Sequence, residues 1–266
     1  HEAYPDRFFA VKILPRGPKR DNPRLARNLE NEASIAATLG EHPCLVRVLA
    51  AGQADGEHYM AMDYIAGDRL DKRIKNAGKM PENEVLLMAL RVLAGLTHIY
   101  NRGFLYRDLK PGNIMISDTE GAYLYDFGIC MSVEEALEEP AEDIVAGTPL
   151  YFPPERITGD GETAASEIYS LGMVMYHAMT GRSYFSAREL DSLSRNDVRP
   201  MLLTARNKMD GISPDVAAVI EKMIQRDIAK RFQTFQDVER DIVRLLWLRL
   251  RRGSGKLLQG AEEQWQ

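Results

Sequence analysis

Cysteine is scarce in this chain, and long apolar runs are missing. Only Cys44 and Cys130 occur among the 266 residues, too few for a disulfide scaffold, and they lack metal-ligand spacing. No run of about 18 apolar residues is present, so we predict no membrane span in this sequence. Because the sequence also lacks a secretory signal pattern, we expect a reducing, cytoplasmic location.

An excess of positive charge is missing as well. The chain carries 34 Lys and Arg against 39 Asp and Glu, which leaves a net charge of −5. It therefore lacks the basic footprint expected of a nucleic-acid-binding domain, and we predict no nucleic-acid partner. No internal repeat or low-complexity segment occurs, and the length suits one large domain or two lobes.

Acidic, basic and amide side chains are concentrated in two short segments. Residues 106–113 read YRDLKPGN, and residues 126–128 read DFG. The segment between them has two β-rich runs joined by turn-forming residues, which predicts a hairpin whose open end brings Asn113 beside Asp126. Carboxylate and amide oxygens are the ligands that Mg²⁺ prefers. This set suits metal-assisted phosphoryl transfer, with Asp108 placed to accept a proton from a substrate hydroxyl.

A lysine and a glutamate occupy apolar positions near the start of the chain. Lys12 lies within the β-forming run 8–14, and Glu32 lies on the apolar stripe of a helix predicted over residues 24–39. An acid on an apolar helix face needs a partner, because an unpaired buried charge is costly. Lys12 is the natural partner, although both side chains could instead extend to solvent.

These segments resemble signature motifs of the protein kinase family. Residues 106–113 are similar to its catalytic loop, 126–128 to its metal motif and 147–155 to its substrate platform. Lys110, two residues after Asp108, is the form found in serine/threonine kinases. The resemblance covers about residues 2–250 and is closest in character to bacterial Hanks-type (eukaryotic-like) kinases.

The resemblance implies an α+β, two-lobed fold. We expect a small, β-rich nucleotide-binding lobe over residues 1–62, a hinge over 63–67, a large helical catalytic lobe over 68–250 and a polar tail over 251–266. No glycine-rich phosphate loop is visible, so we expect the small lobe to lack its first strand and that loop. The sequence carries no indication of an oligomeric state.

The resemblance also implies a reaction and the residues that perform it. ATP would donate its γ-phosphoryl group to serine or threonine hydroxyls of protein substrates, with Mg²⁺ as the metal. The implied catalytic residues are Asp108, Lys110 and Thr148, the metal ligands are Asn113 and Asp126, and the ATP-binding residues are Lys12, Glu32, Ala10, Met62, Asp63 and Ile65. The alternative is a pseudokinase that binds partners or nucleotide, favoured by the missing loop and by Glu167 at a position where the family has aspartate.

The partner of Arg107 and the role of residues 244–252 each have more than one possible interpretation. In the family, the arginine before the catalytic aspartate commonly meets a phosphate on the activation loop. Here, Arg107 could be neutralised by a carboxylate of the acidic loop 129–147, or by phosphorylation at Ser132 or Thr148, or the loop could simply be solvated. Residues 244–252 suit either the last packed helix or a membrane-surface segment.

An ion pair and a thiol are also predicted. The resemblance implies that Glu155 pairs with the late arginine Arg231. Cys130 is expected to be a buried, inert thiol, with a reactive thiol as the alternative.

Overall fold

The computed structural model describes residues 8–14, 23–119, 121–138, 149–185, 189 and 209–263. Within these ranges a small β-rich lobe precedes a larger helical lobe, which confirms the predicted α+β, two-lobed fold. Thr148 and much of the acidic loop lie outside the described residues.

The small lobe is built on one antiparallel sheet with strand order β1-β3-β2. These strands are β1 (Phe9–Ile13), β2 (Val48–Ala54) and β3 (Glu57–Asp63). Helix α1 (Pro23–Leu39) packs against β2 and β3 through the buried face that carries Leu29 and Leu39. Glu32 shares that face, as the 3.6-residue period predicts.

Backbone hydrogen bonds join the two lobes beside the hinge. The amide of Val46 donates to the carbonyl of Leu124 at 2.8 Å, and the amide of Leu124 donates to the carbonyl of Cys44 at 2.9 Å. The chain after α1 therefore adds to the edge of a second sheet in the large lobe. That contact ties the segment after α1 to the large lobe.

The second sheet has strand order β4-β6-β7 and carries the predicted hairpin. The short strands of the large lobe are β4 (Gly67–Arg69), β5 (Phe104–Leu105), β6 (Ile114–Ser117), β7 (Ala122–Leu124) and β8 (Met131–Ser132). β6 pairs with β7 so that Ile114 lies opposite Leu124. Residue 67 has a φ of 147°, and a Cβ there would lie 2.1 Å from the Ile116 carbonyl oxygen, so only glycine fits this turn out of the hinge.

The helical core of the large lobe follows the apolar periodicity of its sequence. Its described helices are α2 (Leu70–Ala77), α3 (Glu82–Asn101), α4 (Val133–Glu138), α5 (Pro154–Thr158), α6 (Ala164–Thr180), α7 (Pro214–Met223) and α8 (Phe235–Glu263). The stripe predicted on α3 is buried, including Val85, Val92 and Leu96. Helix α6 is buried on nearly all sides, because α3, α7 and α8 surround it.

The chain end differs in part from the sequence prediction. Residues 244–252 lie in α8, the last packed helix, with Leu245 buried and Leu250 exposed. That helix continues to Glu263, whereas residues 251–266 were expected to form a polar tail. Once a helix is packed, each added residue gains a hydrogen bond, so it can pass through residues of low propensity such as Gly253. None of the described helices is both long and apolar enough to cross a membrane.

Candidate active site

The catalytic-loop candidates converge on Asp108. Lys110 Nζ lies 2.9 and 2.7 Å from the two carboxylate oxygens of Asp108. The Asn113 amide donates to the same carboxylate at 2.7 Å and to the Asp108 backbone carbonyl at 3.0 Å. A short 3₁₀ turn over Pro111–Asn113 brings the amide back over the loop. Asp108 is therefore held by two donors in one orientation.

The hairpin places Asn113 and Asp126 together, as the sequence predicts. Tyr125 N–H donates to the Asn113 carbonyl at 3.4 Å, and Asp126 is the next residue. The side-chain bonds of Asn113 use Nδ2, so its Oδ1 stays available for another interaction. An amide oxygen and a carboxylate are hard donors that fit Mg²⁺, which commonly completes its shell with phosphate oxygens and water.

Lys12 links the small lobe to this hairpin. Its Nζ lies 2.6 Å from Glu32 Oε2 and 3.2 Å from Asp126 Oδ1. Glu32 is only 3% exposed, so the alternative in which both side chains extend to solvent is wrong. The pKa of Glu32 is raised, with burial as the largest cause and the hydrogen bond from Lys12 opposing it. Desolvation lowers the pKa of Lys12, but the Glu32 and Asp126 carboxylates together raise it above its ordinary value. The short N–O distance and the second carboxylate favour the ionised pair.

The residues predicted to border the adenine lie along β1, β3 and the hinge. Ala10 is directly opposite Met62 in the sheet, and it lies two residues before Lys12, on the same face. The Asp63 carboxylate binds Arg47 at 3.0 Å, and the Asp63 N–H donates to the Arg47 carbonyl at 3.0 Å. Its side chain thus anchors the start of the hinge. Ile65 follows within the hinge.

Comparison with known proteins decides the family. Residues 2–242 match the protein kinase domain. The chain belongs to the protein kinase family. This kinase domain is 32% identical over 243 residues to serine/threonine-protein kinase PknB of Mycobacterium leprae, covering 90% of this chain and 39% of that protein. The predicted bacterial Hanks-type classification is confirmed.

Other relatives carry similar names. Serine/threonine-protein kinase PknK of Mycobacterium tuberculosis is 33% identical over 89% of this chain and 21% of its own length. A probable serine/threonine-protein kinase of Clostridium perfringens, CPE1738, is 28% identical over 90% of this chain and 35% of its own length. The kinase domain therefore spans about two fifths or less of each of these relatives. Nothing in the comparisons favours a pseudokinase.

Aromatic packing supports the metal motif of the kinase domain from below. The Tyr106 hydroxyl donates to the Tyr125 carbonyl at 2.5 Å, and its ring meets Phe127 edge-on at 6.1 Å. Asp126 lies between these contacts with φ of 67°, a left-handed conformation that needs support from its surroundings. Tyr106 is therefore a fully buried side chain that holds the residue before the metal motif.

Glu155 of the substrate platform forms the predicted buried ion pair with Arg231. Arg231 donates to both carboxylate oxygens of Glu155, at 2.7 and 2.8 Å. Cys130 is also buried, as expected, with its thiol toward the Tyr106 carbonyl. Burial raises the pKa of this thiol well above its ordinary value, which favours the inert thiol over a reactive thiolate.

Glu167 keeps the contact that the family makes with aspartate. Its Oε1 accepts the Arg107 N–H at 2.6 Å, so the extra methylene group is accommodated locally. Its Oε2 is buried without a hydrogen-bond partner among the described residues. Burial raises the pKa of this carboxyl to about 7, although the Arg107 amide and the Arg156 charge lower it.

We expect Glu167 to make the stability of the kinase domain depend on pH. The folded protein binds a proton at Glu167 up to about pH 7, whereas the unfolded chain releases it near its ordinary value of 4.5. As the pH rises from 4.5 to about 7, the free energy of unfolding should thus fall by on the order of 3 kcal/mol because of this group. Urea unfolding of wild type and Glu167→Gln at pH 4.5, 6 and 8 measures this. Identical pH dependence in both proteins would contradict it.

Sequence reasoning missed a carboxylate that binds Arg107. The guanidinium group binds Glu162, which lies after the substrate platform, at 2.8 and 2.9 Å. The expected partners belonged to the acidic loop, and part of that loop lies outside the described residues. Glu162 stands in no recognisable motif. Only its place in a turn before α6 could have drawn attention to it.

Proposed function

We propose that this chain is the catalytic domain of a serine/threonine-protein kinase that transfers the γ-phosphoryl group of ATP to protein hydroxyls. One observation carries the proposal: Lys12 Nζ of the small lobe lies 3.2 Å from Asp126 Oδ1 of the large lobe. Asn113 links the two motifs, because its side chain binds Asp108 and its carbonyl accepts the N–H of the residue before Asp126. These successive contacts support a single site formed by the lysine, the two candidate metal ligands and the oriented carboxylate. Phosphoryl transfer requires groups of these kinds.

In this proposal, Asp108 orients the substrate hydroxyl and accepts its proton. Asn113 and Lys110 both hold the Asp108 carboxylate, which restricts its rotation before a substrate arrives. Lys110 would also stabilise the negative charge on the moving phosphoryl group. Thr148 is assigned to this loop by resemblance alone and stays a prediction.

We assign nucleotide binding to the small lobe and the hinge. Lys12, oriented by Glu32, would contact the α- and β-phosphates. Ala10 and Met62 would pack against the adenine ring, while backbone groups of Asp63 and Ile65 would bind its edge. Since the N–H of Asp63 is already bonded to Arg47, the Asp63 carbonyl and the Ile65 N–H are the groups assigned to adenine.

The metal site would be formed by Asn113 Oδ1 and the Asp126 carboxylate. A bound Mg²⁺ would neutralise phosphate charge and align the γ-phosphoryl group with the substrate hydroxyl. Asp126 is also bonded to Lys12, so its position is set before any cation binds. This arrangement keeps the metal ligands and the phosphate-binding lysine in a fixed relation.

The names of the relatives support a protein substrate with a serine or threonine hydroxyl. The acidic net charge disfavours a nucleic-acid partner. Both cysteines are free and buried, which supports a cytoplasmic location for this domain.

Incubation with γ-³²P-labelled ATP, Mg²⁺ and a generic basic protein tests the proposed function. We expect label on serine and threonine of the substrate, detected by phosphoamino-acid analysis, and none after EDTA is added. Parallel calorimetry measures ATP binding. Tight, metal-dependent binding without label on any protein would contradict the proposal and indicate a pseudokinase.

A further inference from the structure

Three separate parts of Arg107 are held by one buried group of side chains. Glu167 accepts its backbone N–H at 2.6 Å, Arg156 Nη1 donates to its carbonyl at 2.6 Å, and Glu162 binds its guanidinium. Arg156 also binds Glu162 through two nitrogens, at 2.8 and 2.5 Å. We call Arg107, Arg156, Glu162 and Glu167 the arginine cluster.

The cluster holds a backbone conformation that is unfavourable on its own. Arg107 has φ of 67°, a left-handed conformation that is unfavourable for a residue with a long side chain. Bonds to the N–H and to the carbonyl of the same residue impose this conformation from both sides. Asp108 follows immediately, so the direction of its carboxylate depends on these bonds.

Charge balance makes Glu162 central to the cluster. It is 3% exposed and contacts the guanidinium groups of both Arg107 and Arg156. Without it, Arg107 and Arg156 would face each other in a buried site with Glu167 as the nearby acid. Buried like charges repel strongly because little water screens them.

We propose that Glu162 is a positioning residue, a built-in counter-ion for Arg107 that keeps Asp108 in its active orientation without phosphate on the activation segment. This inference rests on the proposed kinase function. Arg107 is nearly enclosed, with its side chain 9% exposed and already bonded to Glu162. A phosphate could bind that guanidinium only by competing with a carboxylate that is fixed by a second arginine.

The hydroxyl of Ser132 has a structural role that agrees with this proposal. It donates to Glu135 Oε2 at 2.7 Å and accepts the Glu135 N–H at 3.2 Å, so it caps the start of α4. A phosphate on Ser132 would remove the hydroxyl proton and place two like charges together. The unmodified Ser132 hydroxyl therefore stabilises the start of α4.

Phosphatase-treated wild type and three variants test the inference. Glu162→Gln removes the charge at nearly constant shape, and Glu162→Asp keeps the charge. Asp160→Asn makes the same carboxylate-to-amide change at an exposed position two residues away. Intact mass spectrometry verifies that every sample is free of phosphate, and steady-state assays give kcat and the KM for ATP.

We expect unphosphorylated wild type and Asp160→Asn to have equal kcat. For Glu162→Gln, kcat should fall between about tenfold and a hundredfold with little change in the KM for ATP, because the catalytic loop shifts while Lys12 does not. Glu162→Asp should retain most of the activity. Loss of wild-type kcat on phosphatase treatment, regained on rephosphorylation, would overturn the inference, and so would full activity of Glu162→Gln.

Two further measurements do not depend on how well the variant turns over. Burial is the largest cause that raises the pKa of Glu167, and the Glu162 carboxylate raises it further. In Glu162→Gln, the pH range over which the free energy of unfolding changes should therefore move to lower pH. Amide hydrogen exchange of the peptide containing residues 107–113 should be faster in Glu162→Gln than in Asp160→Asn. If wild type transfers no phosphate at all, the proposed function fails, and this exchange comparison alone decides the inference: equal rates would overturn it.

Discussion

Replacing Asp108 with asparagine is expected to lower kcat by about 10²- to 10⁴-fold, the range that a general base contributes. Asparagine has nearly the same shape but cannot accept the hydroxyl proton. The substitution also removes the charge that holds Lys110 at 2.7 Å. Lys12 and Glu32 do not contact Asp108, so the affinity for ATP should stay close to that of wild type. Steady-state phosphoryl transfer beside calorimetric ATP binding measures both effects.

Asp118→Asn is a matched control for this substitution. Asp118 lies exposed in the turn of the same hairpin region, so the same change of chemistry there should leave kcat unaltered. Thermal unfolding of both variants checks that neither loses its fold. Equal transfer by wild type and Asp108→Asn would reject Asp108 as the base, whatever its geometry in the cleft.

Much of this site could be predicted because its residues belong to local patterns. The hairpin joins two segments that are close in sequence, so turn-forming residues between β-rich runs place Asn113 beside Asp126. Helical periodicity alone puts Glu32 on the buried face of α1. The Lys12–Glu32 contact then follows, because a buried acid needs a cation and Lys12 lies on a neighbouring strand.

The arginine cluster could not be predicted in the same way. Glu162 and Arg107 are 55 positions apart, and neither periodicity nor turn chemistry relates them. The acidic run 134–143 contains many carboxylates that are closer to Arg107 in sequence, and composition does not indicate which carboxylate binds it. The extension of α8 was missed for a related reason: glycines usually end a helix, and the sequence does not reveal that earlier turns are anchored by packing.

Arg231→Met is expected to destabilise the kinase domain by about 3–5 kcal/mol, because it leaves Glu155 buried without its partner. The Arg231 side chain is 0% exposed. It also donates to the carbonyls of Gln225 and Ala165, at 2.5 and 3.2 Å, and its guanidinium lies 4.8 Å from the ring of Tyr169. Its removal thus leaves the buried Glu155 charge without this cation, with the Ser166 hydroxyl still donating to it at 2.6 Å, and takes a donor away from several backbone carbonyls. Urea unfolding followed by circular dichroism measures the loss.

The same substitution at Arg240 provides the control. Arg240 is 71% exposed and pairs with Asp237 on the surface of α8. An exposed pair contributes at most about 1 kcal/mol, since water screens it. Similar losses of unfolding free energy for Arg231→Met and Arg240→Met would show that the buried pair contributes no more to stability than the exposed pair. The double variant Glu155→Gln/Arg231→Met should be more stable than Arg231→Met alone, because the unpaired charge is what the single substitution leaves behind.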